Sequence, residues 1–314
     1  MFSILLAMAC IILIGVLWRL YLGAKVADII RSHLAKSVYE IFLPALVLHV
    51  LWQAELSLNT VRIPVVAALS VLLCLLATFL IYGNGLLIKK MLGPNAVGKK
   101  MGALMLAAAF GNFSYLGIPV LTQVFGSWSQ FVAVHFDMLA STPLLFTVGI
   151  LVAGHYGKAE SAGASPFELL KVPALWAAAL GLIASANHLF MPDWLEKILS
   201  LLGSAVVPLM LLSVGMALRW RAGWFVRIPL IFPVIAIQLM LMPLIAWTAS
   251  VGVRMPENLI APVVIEGAMP SMVLGLVICD RFKLDTALYA EIVTLSTALS
   301  LLSLPFWMAW LHVA

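Results

Sequence analysis

The chain has 314 residues, of which 64% are hydrophobic and only 10% are Asp, Glu, Lys or Arg, where soluble proteins carry about a quarter. So few charges cannot keep the surface of a chain this long in water, which excludes a soluble enzyme, a nucleic-acid-binding protein and a disordered scaffold. The lipid bilayer is the expected surrounding, and the net charge of +5 reads as the cytoplasmic Lys and Arg excess of a membrane protein.

A helix needs about 20 apolar residues to cross the hydrocarbon. Taken in order, such runs fall at 2–21, 37–54, 63–88, 102–125, 130–153, 172–191, 197–218, 228–252, 257–280 and 286–311. The predicted fold is therefore an all-α polytopic membrane protein of ten transmembrane helices. The first run has no positive residue ahead of it and no obvious cleavage site, so it reads as a span and not as a signal peptide. The three cysteines, Cys10, Cys74 and Cys279, lie in apolar runs without metal-ligand or disulfide spacing. No cofactor and no metal centre is expected from them.

Orientation follows from the basic residues. On the side of the termini the loops hold Arg62, Lys197 and Arg254, whereas the other side holds the remaining fifteen of the 18. Those fifteen are Arg19, Lys25, Arg31, Lys36, Lys89, Lys90, Lys99, Lys100, Lys158, Lys171, Arg219, Arg221, Arg227, Arg281 and Lys283. The positive-inside rule then places both termini on the non-cytoplasmic side and the longest loop, 154–171, in the cytoplasm.

The two halves, 1–153 and 172–314, share a grammar on either side of that linker. Leu43-Pro44-Ala45-Leu46 in span 2 matches Val207-Pro208-Leu209-Met210 in span 7, and Arg62-Ile63-Pro64 at span 3 matches Arg227-Ile228-Pro229 at span 8. Gly117-Ile118-Pro119 in span 4 matches Ala268-Met269-Pro270 in span 9, and Asp137 and Glu291 follow in spans 5 and 10. Each half has five spans, an odd number, so the second repeat is inverted relative to the first. Inverted repeats mark secondary transporters.

Spans 4 and 9 carry the helix breakers. Between Phe110 and Pro119 lie Gly111, Asn112, Ser114, Tyr115 and Gly117; span 9 reads Ile265-Glu266-Gly267-Ala268-Met269-Pro270-Ser271. Proline removes a backbone hydrogen bond and glycine weakens the same stretch. Backbone freed in this way is tolerated at membrane depth only where protein or water satisfies it. We therefore expect both helices to be broken and to cross near the midplane, with half-helix N-termini suited to a carboxylate. The candidate substrate-binding residues are Asn112, Ser114, Tyr115, Gly117, Pro119, Gly267, Pro270 and Ser271. Glu266 is the one acid near the centre of a span, a place where ionisable residues face a cavity or a partner. It is the first candidate for a proton or Na⁺ site, with Asp137 and Glu291 after it. His49 reads as a packing residue, and Glu40 and the cluster of Asp280, Arg281, Lys283 and Asp285 as solvated loop groups.

These residues resemble a known family. Gly111-Asn-Phe-Ser-Tyr-Leu-Gly-Ile-Pro119 is similar to the Asn-x-x-x-x-Gly-x-Pro segment of the auxin efflux carrier family, which includes bacterial permeases. Lys171-Val-Pro-Ala-Leu-Trp176 with Gly181, Gly203–Leu218, Ala268–Ser271 and Glu291–Pro305 resemble its later motifs. The resemblance covers nearly the whole chain. It implies two inverted five-helix repeats, a scaffold domain from spans 1, 2, 6 and 7, and a transport domain from spans 3–5 and 8–10. It also implies alternating access by elevator-like or rocking motion, and a small organic anion as substrate, such as auxin or a dicarboxylate. A homodimer through the scaffold domain is the expected partner. The short 154–171 loop matches compact bacterial permeases of an inner membrane.

Glu266 ahead of Gly267 also resembles the sodium-binding acid of the bile acid:sodium symporters, which share this architecture. The leading expectation is thus a secondary carrier of an organic carboxylate, with H⁺ or Na⁺ as coupling ion; the alternative is a sodium-coupled symporter of an amphipathic acid. No P-loop supports ATP-driven pumping. No acid/base or metal constellation supports an enzyme, and no output domain or filter-like repeat supports a sensor or channel.

Overall fold

The computed structural model describes residues 2–54, 56–86, 88–89, 97–157, 170–218 and 227–313. Residues 158–169 of the expected linker fall outside the described residues, as do Lys90, Lys158, Arg219 and Arg221 of the orientation argument. Twelve helices follow in chain order among the described residues: α1 (Phe2–Leu22), α2 (Ala24–Trp52), α3 (Asn59–Tyr82), α4 (Val97–Ala109), α5 (Phe113–Phe125), α6 (Ser127–Tyr156), α7 (Pro173–Ala186), α8 (Asp193–Ala217), α9 (Ile228–Gly252), α10 (Glu257–Gly267), α11 (Gly275–Arg281) and α12 (Thr286–Trp310). Their lengths and composition come directly from the apolar runs.

Six of them, α2, α3, α6, α8, α9 and α12, are each long and apolar enough to cross a membrane. The chain is a helical membrane protein. Two differences from the sequence expectation have plain causes. Helix α2 begins at Ala24, well before the apolar run at 37, because Lys25, Asp28, Arg31 and Lys36 lower the hydropathy of a stretch that is helical all the same. Helix α7 has 14 residues, about 21 Å at 1.5 Å per residue, and it stops at Ala186 before Asn187 and His188.

Prolines shape the long helices in a regular way. Wide turns, with the chain locally hydrogen-bonded one residue further along, occupy Val38–Phe42, Phe113–Gly117, Asp137–Ser141, Leu145–Gly149 and Ile237–Leu241 among the described residues. All but Leu145–Gly149 end two residues before a proline: Pro44, Pro119, Pro143 and Pro243. A proline ring crowds the carbonyl four residues back and leaves it without a donor. In all four cases that carbonyl lies inside the wide turn, which makes room for the ring. At Pro243 the freed carbonyl is Leu239 O, and the indole Nε1–H of Trp307 donates to it at 2.8 Å.

The described chain divides into two compact units. The first comprises Met1–Pro64, Phe113–Ala140 and Phe167–Leu218. Helix α1 lies against α8 at Gly15 and Gly215, where a Cβ on Gly15 would run into Leu212 O and one on Gly215 into Ile12 O. Small residues allow this close approach of two backbones in lipid. Helix α7 meets α2 in the same manner, with a Cβ on Gly181 reaching 2.9 Å from Leu51 Cβ. Arg19 pairs with Asp28 at 2.7 Å and donates to Met216 O at 2.9 Å, so it satisfies a carbonyl at the C-terminal end of α8 with a charge of the favourable sign.

The second unit comprises Val65–Asn112, Ser141–Pro166 and Arg219–Ala314. Helix α4, buried from Met101 to Ala109, forms its centre, with α9, α12 and the last part of α6 packed on it. Gly102 accommodates Leu284 and Tyr156, and Gly267 brings α10 onto α9, where a Cβ would stand 3.2 Å from Ala246 Cβ. The Tyr82 hydroxyl donates to Leu230 O at 2.6 Å, fixing the end of α3 to the start of α9.

Candidate functional site

Helix α4 ends at Ala109 and helix α10 at Gly267, as the glycine and proline placement implies. The interruptions at 110–112 and 268–274 then run antiparallel past each other inside the second unit. Gly111 stands opposite Ser271. The Asn112 N–H donates to Pro270 O at 2.6 Å, and the Met272 N–H donates to Phe110 O at 3.0 Å.

Breaking two helices in a buried interior frees backbone groups that must find partners. The structure supplies them one by one. The Ser271 hydroxyl donates to Ala107 O at 2.7 Å. The Ser271 N–H donates to the Ser296 hydroxyl of α12 at 3.2 Å. Met269 O accepts from Gln238 Nε2 of α9 at 2.8 Å, and Met272 O accepts from the Tyr289 hydroxyl of α12 at 3.0 Å. Tyr289 also covers Gly275 so closely that a Cβ there would overlap its hydroxyl. Side chains from α9 and α12 thus hold the crossing segments.

Around this crossing the interior is polar. Glu266 and Ser271 are 0% exposed and Asn112 is 4% exposed; Gly267 and Pro270 are buried beside them. The structure therefore brings Asn112, Glu266, Gly267, Pro270 and Ser271 into one unit. Three side-chain atoms of that interior have no hydrogen-bond partner among the described residues: Asn112 Nδ2, Gln238 Oε1 and Thr297 Oγ1. Sequence reasoning passed over Gln238, Ser296 and Thr297. The signal for the last two was the 3–4 spacing of Thr294, Ser296, Thr297, Ser300 and Ser303 along α12, a buried hydroxyl stripe on one face. Glu291, also in this unit, does not join the crossing: Arg227 NH1 stands 3.3 Å from both of its carboxylate oxygens.

The other candidates lie in the first unit. Ser114 donates its hydroxyl to the Asp137 carboxylate, and Phe113 packs on Phe136 with ring centroids 4.8 Å apart; these contacts join α5 to the first half of α6. Tyr115, partly buried, sits within electrostatic reach of Tyr39, Arg31 and Asp137. Gly117 closes the wide turn and Pro119 is the second residue of the α-helical stretch after it, both buried. No group of three or more His, Cys, Asp or Glu able to hold a metal occurs among the described residues.

Comparison with known proteins bears on what such an arrangement does. Residues 2–308 match the family described as membrane transport protein. The chain is 31% identical over 281 residues to an uncharacterized transporter of Methanothermobacter thermautotrophicus, covering 88% of this chain and 87% of that protein. It is 28% identical over 257 residues to an uncharacterized transporter of Methanocaldococcus jannaschii, covering 80% of this chain and 79% of that one.

Proposed function

The chain belongs to the membrane transport protein family, that of the auxin efflux carriers, and on that premise we propose that it is a secondary carrier of a small organic anion. It is a transporter and not an enzyme. The carried substrate is a carboxylate or dicarboxylate, moved across the inner membrane by alternating access. The single observation that supports this reading is the buried crossing at Gly111 and Ser271, where two interrupted helices meet beside an Asn112 amide whose Nδ2 has no acceptor among the described residues. A buried amide donor is a partner for a carboxylate oxygen. Irregular backbone at such depth is the usual setting of a transporter site.

In this reading ten spans form two inverted five-helix repeats, with 1–153 and 172–314 as the halves and both termini on the non-cytoplasmic side. Glu266, wholly buried next to the crossing, is the coupling group and carries a proton. Its burial also favours a second reading, in which its carboxylate binds Na⁺ and the chain is a sodium-coupled symporter of an amphipathic acid.

The test is flux of labelled carboxylates into vesicles holding the purified protein, under an imposed pH gradient or an imposed Na⁺ gradient. The proposal expects flux driven by the pH gradient, indifferent to Na⁺ and uncoupled by Glu266→Gln. Flux that requires Na⁺ selects the second reading, and no carboxylate flux under either gradient contradicts both.

A further inference from the structure

Buried polar atoms in native proteins have partners in nearly every case, and one that has none invites an explanation. Among the described residues of the second unit five neutral side chains carry such an atom, those of Asn112, Gln238, Ser250, Thr297 and Ser303; of these, Asn112 and Gln238 bond the short segment 269–272 themselves and Thr297 directly follows a residue that does. Asn112 donates its backbone N–H to Pro270 O while its Nδ2 is unpartnered. Gln238 donates Nε2 to Met269 O and contacts Met242 Sδ, while its Oε1 is unpartnered. The amide orientation follows from the chemistry, since Met269 O requires a donor and only Nε2 is one. Thr297 follows Ser296, whose hydroxyl receives the Ser271 N–H; Thr297 Oγ1 is unpartnered, although a threonine in a helix ordinarily returns its hydroxyl to a carbonyl one turn back. All three side chains are at least nine-tenths buried.

The three atoms differ in kind. Asn112 Nδ2 only donates, Thr297 Oγ1 can donate, and Gln238 Oε1 only accepts. A bare carboxylate would satisfy the first two and leave the third without a donor. We propose that Gln238 and Thr297 are specificity-determining contacts of the substrate site, and that the ligand is a carboxylate carrying an O–H or N–H donor beside the carboxyl group. Thr297 and Asn112 take the carboxylate oxygens, and Gln238 takes the neighbouring donor. This rests on the proposed carriage of an organic anion and narrows the class of anion. The hydroxyl of Ser303, on the same helix and also unpartnered, lines an apolar groove with Phe232, Leu302 and Phe306 and is no part of this set.

The experiment is thermal-shift titration of the purified full chain with three matched pairs: propionate and lactate, succinate and 2-hydroxysuccinate, phenylacetate and mandelate. Wild type is expected to bind the hydroxylated member of at least one pair tenfold or more tighter than its partner, because the analogue leaves Gln238 Oε1 unsatisfied. Thr297→Val, which removes a hydroxyl without a partner among the described residues, is expected to keep or raise the melting temperature and to weaken that ligand about tenfold to a hundredfold. Thr297→Ser restores binding, and Ser303→Ala leaves it unchanged. Equal affinity for both members of every pair that binds overturns the role of Gln238. Unchanged affinity in Thr297→Val overturns the role of Thr297, as does failure of both Thr297→Val and Thr297→Ala to fold while Thr297→Ser folds. No shift of wild type by any of the six acids counts against the organic-anion reading itself.

Discussion

The Asn112 N–H donates to Pro270 O at 2.6 Å across 158 residues of sequence (270 − 112). That bond ties one interrupted helix to the other through backbone alone. The Asn112 Nδ2 stays without a partner among the described residues, so the backbone N–H and the side-chain N–H groups have different duties. This separation makes mutational tests at the crossing interpretable.

Ser271 has the opposite character. Its hydroxyl satisfies Ala107 O, a carbonyl that the end of α4 leaves free. Ser271→Ala strands that buried carbonyl, which costs about 1–3 kcal/mol. The expected outcome is a clear fall in melting temperature in detergent. A melting temperature equal to wild type would show that the carbonyl finds another donor.

In the first unit, stability rests on glycine contacts between helices. Gly215→Ala places a methyl where Ile12 O already stands, so α1 and α8 must separate. The expected loss is about 1–3 kcal/mol, read as a lowered unfolding midpoint. Gly252→Ala, where a Cβ would meet nothing within 4 Å, serves as the control without that loss.

Arg227 and Glu291 form an ion pair with the acid 8% and the base 33% exposed on their side chains. Arg227→Gln leaves the acid with less compensation. Because the arginine is partly solvated, the cost is discounted to about 1–2 kcal/mol. Adding Glu291→Gln removes the uncompensated charge and is expected to recover most of the stability. A double variant no more stable than Arg227→Gln would mean that the pair is not the source of the loss.

Much of this architecture was legible in the residues. Long apolar runs at 228–252 and 286–311 correspond to α9 and α12 almost to the residue, because hydropathy is the physical quantity that selects a spanning helix. Gly111 and Pro270 announced the two interruptions. What stayed hidden depends on three-dimensional neighbours. Pro119 reads as the breaker of its span, yet the interruption is at 110–112 and Pro119 lies within α5, where the wide turn Phe113–Gly117 makes room for its ring. Gln238 is a lone amide in an apolar run, and only its bond to Met269 O shows that it holds the crossing. Glu291 reads as a path-lining acid until Arg227, 64 positions earlier in the chain, is seen beside it. The start of α2 was concealed because hydropathy falls where a helix carries charges, while helix propensity does not.

The central claim is that the crossing carries the substrate site, and Asn112→Ala tests it most directly. The backbone bond to Pro270 O survives this change, so the melting temperature is expected to stay within about 2 °C of wild type. Flux of labelled carboxylate into proteoliposomes is expected to fall to about a tenth or less, the loss of one hydrogen bond to a charged ligand. Wild-type flux from a stably folded Asn112→Ala protein would contradict the account.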